Sequence, residues 1–228
     1  MLKFSKNCFR FNKLIMFKLL DNNELRYFSI FIVWLVNVSG FFGILSDQKD
    51  FFLSSSPYVL TLTLFLLIVN NSIDKKFLTK LFFIFFLGLI VEIIGVNFSF
   101  FFGEYKYGDN LGVKIFNVPV VIGFNWVLLI ILTGNFADRI FPKSIIRKVV
   151  FGSAMMILLD LLIEISAPKL DYWEFTINPV PFSNYFWWFV FSILFHLIYQ
   201  SNKNKEYVVS TNILLIHFLF FGLLALFL

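Results

Sequence analysis

The sequence predicts an all-α, polytopic membrane bundle of about seven transmembrane helices with a cytoplasmic N-terminus. Three observations predict it. Hydrophobic residues make up 59% of the 228 and charged ones only 14%, and the 35 phenylalanines exceed what a soluble core of this size could bury. Seven apolar runs follow one another at close spacing, most of them near the ~20 residues a spanning helix needs. The basic residues alternate with those runs: fifteen of the nineteen Lys and Arg fall on one side of the expected membrane.

The chain opens with residues 1–26, where Lys3, Lys6, Arg10, Lys13, Lys18 and Arg26 are interleaved with Phe and Leu. No small-residue cleavage site follows, so the pattern reads as a basic interfacial segment lying on an anionic leaflet, with Met16 as an alternative start. Residues 27–228 then form a single transmembrane domain with spans at about 27–45, 51–69, 79–102, 118–137, 149–167, 183–200 and 209–228. Pro57 shortens the uninterrupted part of the second, where a proline near a helix start is tolerated. The basic connections at 70–80, 138–148 and 201–206 share a side with the N-terminus. Only Lys49, Lys106, Lys114 and Lys169 lie opposite. That placement accounts for the net charge of +5 as a topology signal, so no nucleic-acid partner is expected. The single cysteine, Cys8, excludes an internal disulfide and a cysteine-based metal cage.

Orientation converts position into depth. Counted outward from about Leu81, Glu92 lies ~16 Å up its helix, near the midplane. Asn125 and Trp126 on the fourth span and Asp160 on the fifth fall at a similar level, with Glu164 one turn above Asp160. Ionisable groups at bilayer depth are costly, so three carboxyls and an amide converging on one layer mark a functional site. Gly88, Glu92, Gly95 and Ser99 share one helix face, and Ser153, Met156, Asp160 and Glu164 share another. Small residues beside the carboxyls allow close helix approach and turn both faces into the bundle. Asp160 and Glu164 are i,i+4 neighbours, where two negative charges repel, so with burial at least one of the two is expected to hold a proton. The bland alternative for Glu92 is helix glue, and Glu164 reads equally as solvated. His196 and His217 read as satisfied or snorkelling residues. Asn37 is either glue or cavity lining. Trp34, Trp173, Trp187 and Trp188 fit an aromatic belt as well as a pocket.

Two outer segments, Phe102 to Gly112 and Ala167 to Trp188, are rich in Gly, Pro and aromatics and read as a structured lid over the carboxyl layer. The chain carries no phosphate-binding loop, dinucleotide fingerprint, serine elbow or HExxH helix. What remains is acid–base work on an apolar molecule. A neutral carboxylic acid can protonate a carbon–carbon double bond, and aromatic faces can stabilise the resulting cation.

Glu92-Ile-Ile-Gly95, Phe102-Gly-Glu-Tyr-Lys-Tyr107, Gly112 with Val118-Pro119, Trp126, Asp160 with Glu164, Tyr172-Trp173 and Asn184-Tyr185 together resemble the carotenoid biosynthesis membrane proteins. The likeness is to the carotenoid 1,2-hydratases of the bisanhydrobacterioruberin and γ-carotene type, and it covers roughly residues 30–228. It implies addition of water across the terminal 1,2 double bond of an acyclic ψ end group, without a cofactor. The implied substrate is a carotenoid like lycopene or γ-carotene, and the implied location is the bacterial inner (plasma) membrane. On that reading Glu92 and Asp160 share the roles of proton donor and water-activating base, with the assignment between them open. Glu164, Asn125 and Asn184 would orient water or the partner carboxyl, and Trp126, Tyr105, Tyr107 and Trp173 would line the substrate pocket. The alternatives are a lycopene-cyclase-like isomerase using the same acid without water, and a non-catalytic carotenoid-binding protein. A small transporter is a further alternative, and the sequence shows none of the inverted repeats that would favour it.

Overall fold

The computed structural model of the chain describes residues 22–71, 73–200 and 205–228. The basic interfacial segment expected at 1–26 therefore lies outside the described residues, except for its last five positions. Those open the first helix, α1 (Asn22–Ile44). After it come α2 (Lys49–Ser54), α3 (Ser56–Asn70), α4 (Lys75–Phe98), α5 (Val121–Ile140), α6 (Ile145–Ser166), α7 (Phe182–Gln200) and α8 (Tyr207–Phe227). Four short strands lie in the connections: β1 (Tyr105–Tyr107), β2 (Lys114–Ile115), β3 (Val118–Pro119) and β4 (Trp173–Phe175).

The protein is an all-α membrane bundle. Six of these helices are long and apolar enough to cross a membrane. The second expected span departs from that length. It breaks at Ser55 into α2 and the 15-residue α3, ~22 Å of helix where a full crossing needs ~30 Å. The cause is local: Pro57 has no N–H to donate and can stand only in the first turn of a helix, so α3 starts there instead of continuing α2. Many large apolar side chains face outward, among them Phe31, Phe42, Phe82 and Phe83. A soluble monomer does not show so large an apolar surface, and lipid covers it at no cost.

Helix α5 is the axis of the bundle. Fourteen of its twenty residues are buried, and it packs against α3, α4, α6, α7 and α8. Helix α1 lies outside, against α3 and α8. Side chains cap the helix starts at the basic end. Asp74 accepts from Phe77 N at 2.7 Å, Ser144 accepts from Arg147 N, and Glu206 accepts from Val208 N and Val209 N. At the same end Asp138 is paired with Lys148 and Lys205 and accepts from the Tyr207 hydroxyl, while Arg26 meets Glu206 at 3.2 Å. Charges drawn from α1, α5, α6 and the residues just before α8 thus gather at one end of the bundle.

The opposite end is closed by a lid. Strand β1 pairs antiparallel with β4, setting Tyr105 against Phe175 and Tyr107 against Trp173. Side chains alternate along a strand, so Tyr105 and Tyr107 share the inward face while Lys106 points out, 3.5 Å from Glu174. The small hairpin of β2 and β3 is tied to the end of α4: Asn97 donates to the Phe116 carbonyl and accepts from Asn117.

Candidate functional site

Glu92 is buried on α4, and each of its oxygens is met by a donor from a different element. The Trp126 indole on α5 donates to Oε1 at 3.0 Å. The Tyr105 and Tyr107 hydroxyls on β1 donate to Oε2 at 2.6 and 2.8 Å. Two glycines on the same face of α4 make this possible. A Cβ on Gly88 would stand 2.7 Å from the Trp126 ring, and one on Gly95 would collide with Phe102. Ser99, expected on that stripe, is exposed instead; it ends α4 in a left-handed conformation, with φ of 51°. Burial pushes both phenols well above the usual tyrosine range, so they remain donors.

Facing Glu92 is the second acidic group. Asp160 and Glu164 lie one turn apart on α6, and the Asn184 amide on α7 reaches both, at 3.4 and 3.3 Å. The Trp173 indole donates to Glu164 at 3.3 Å. Glu92, Asp160, Glu164, Tyr105, Tyr107, Asn125, Trp173 and Asn184 all line one cavity of about 460 Å³, its mouth included. Between these side chains the free space suffices for about one water molecule.

Eight of the nine residues singled out in the sequence therefore meet at one cavity. The ninth, Trp126, is fully buried behind Glu92 and acts on the carboxyl instead of lining the cavity. The level of the site also differs from the midplane expected. Helix α4 begins at Lys75 and ends at Phe98, so Glu92 is six residues, ~9 Å, from its lid end. Asp160 is six residues from the end of α6, and Asn125 is four from the start of α5. The three still match in depth, but the layer lies in the outer part of the bundle.

Sequence reasoning left Trp188 undecided between belt and pocket and passed over Phe175. Both line the cavity. Trp188 stacks on Trp126 with ring centres 4.3 Å apart, and Phe175 stacks on Tyr105 at 5.1 Å. The pairing of Phe175 with Tyr105 follows from strand register, for which the sequence gives no signal. His196 is fully buried without snorkelling, its Nδ1 on the Ser192 carbonyl and its Nε2 against Thr133. Among the described residues no group of three or more His, Cys, Asp or Glu side chains is placed to hold a metal ion.

This arrangement sets a hydrogen-bonded acid opposite a carboxyl pair, across one water's space, under aromatic faces. Carboxyls and donors so placed are chemically able to give and take a proton. No curated protein and no solved structure matches the chain. A family model does: the one described as carotenoid biosynthesis protein matches residues 55–228, well over half the chain, and the protein therefore belongs to that family.

Proposed function

We propose that this member of the family adds water to the terminal 1,2 double bond of an acyclic carotenoid end group. The observation that supports the reading is the pairing, across one cavity, of a triply hydrogen-bonded glutamic acid with a two-carboxyl cluster and room for a water. Glu92 gives its proton to C2, whose new C–H bond takes the π electrons, and the positive charge falls on tertiary C1. The negative charge left on Glu92 meets three preorganised donors, which is where electrostatic stabilisation helps most. The aromatic faces of Trp188 and Phe175 attend the cation. A water held near Asn125 and Asn184 attacks C1, and its proton passes to the Asp160–Glu164 pair, which has place for one proton and one charge. A proton then returns to Glu92, so the sum is substrate plus water giving a tertiary alcohol, with no electron transfer.

The test is expression with a lycopene supply, mass analysis of the pigments, and incubation of the purified protein in D₂O. The wild type yields product heavier by one water and labelled at C2. Glu92→Gln loses both alcohol and label, by about 10²–10⁴-fold. Asp160→Asn loses alcohol yet still exchanges label into recovered substrate, because protonation precedes water capture. Normal alcohol from Glu92→Gln removes that residue from the mechanism. A product of unchanged mass with a new ring turns the reading to cyclisation.

A further inference from the structure

A second and larger cavity, about 1410 Å³ with its mouth included, opens between α1, α3 and α8. The free space inside it, about 400 Å³, falls within the ~300–1,000 Å³ of ordinary small-molecule pockets. Its lining contains no Asp, Glu, Lys or Arg. The polar side chains in its wall are largely engaged: Asn37 donates to the Val33 carbonyl, Ser56 is bonded to the Tyr172 hydroxyl, and His217 Nδ1 meets the Ile213 carbonyl at 2.8 Å. Leu35 and Phe51, also in its lining, are 48% and 65% exposed on the apolar outside of the bundle. The cavity adjoins the carboxyl cavity, since Ile122, Asn125, Leu129, Ile163 and Trp173 line both. At that junction no protein hydrogen bond among the described residues reaches the Asn125 side chain.

We infer that this lateral cavity is the channel in which a long, unfunctionalised polyene or polyisoprenoid chain lies, entered sideways from the lipid, with its terminal double bond at the Asn125 junction. The carboxyl cavity has space for a water but not for a chain, so the rest of any substrate must lie elsewhere. A wall without charge suits a hydrocarbon and gives a phospholipid headgroup nothing to bind. The short α3 and the break at Ser55 belong to the same feature, since Phe51, Ser55, Val59 and Thr63 line this cavity. The chemistry at the junction rests on the proposed hydration, whereas the channel rests on geometry alone.

Gly40 lines the channel, and a Cβ there would meet Phe220 at an ordinary 3.6 Å, so Gly40→Ala is the folded control and Gly40→Trp the block. Leu35→Trp at the exposed mouth is a second, milder block. The proteins are purified in nanodiscs, checked for a single monodisperse peak, and titrated with lycopene by absorbance. They are also assayed with 2,6-dimethyl-2,6-octadiene, a short diene with the same terminal group. We expect lycopene binding to weaken by about tenfold or more in at least one blocked variant, with conversion of the short diene kept. Wild-type lycopene binding in both blocked variants, each of them folded, overturns the channel. Loss of lycopene binding in proteins that hydrate neither compound leaves the channel standing and removes the hydration.

Discussion

Both oxygens of Glu92 are occupied by donors before any ligand arrives: an indole on one side, two phenols on the other. A hydrogen bond to a charged group is worth about 1.5–3 kcal/mol. Tyr105→Phe or Tyr107→Phe should therefore slow turnover by about 10- to 100-fold while leaving the bundle folded, as steady-state rates on a common substrate will check. The same burial has a pH consequence. Tyr105, Tyr107 and Tyr172 are all held above the ordinary phenol range, burial being the first cause. Unfolded tyrosines ionise first as pH rises, so the folded state loses stability only in alkali, above the usual phenol value. A spectrophotometric titration should find three phenols that ionise only as the protein unfolds. A full set titrating as free tyrosine would contradict their burial. The acidic residues of this site were legible in the sequence because carboxyls are rare in apolar runs and their depths could be counted. The aim of the two tyrosines onto Glu92 was not, because it depends on which face of a three-residue strand turns inward.

At the scale of the element, α4 and α5 approach closely because Gly88 faces Trp126. Gly88→Ala puts a methyl where the indole now is, and overpacking of this kind costs about 1–3 kcal/mol. The expected outcome is a lower melting temperature together with reduced activity, since the displaced indole is also the donor to Glu92 Oε1. An unchanged melting temperature would show that the two helices part freely. Helix identities followed from the apolar runs, but their ends did not. Phe100, Phe101 and Phe102 are as apolar as the span before them, yet the chain turns at Ser99 and commits them to the lid. Hydropathy registers the oil, not the hydrogen-bonding turn that stops a helix, and this is why the site was placed at the midplane.

For the whole molecule, the alternation of basic connections matches a bundle with the more buried charged pairs, of Asp138 and Glu206, at one end and the strands, with the exposed Lys106–Glu174 pair, at the other. The positive-inside rule predicts that the basic end faces the cytoplasm. In a Cys8→Ser background, Lys106→Cys in the lid should react with a membrane-impermeant maleimide on intact cells. Lys143→Cys should react only after permeabilisation. The reverse pattern would invert the orientation and put the lid in the cytoplasm.

The pairing of β1 with β4 carries a consequence for timing. The strand that brings both phenols to Glu92 is held down by the strand that brings Trp173 to Glu164. Lifting either strand would strip hydrogen-bond donors from both acidic groups at once. On the proposed hydration, shutting the lid and arming the acid would then be a single event, and a site opened to water would be a site already switched off.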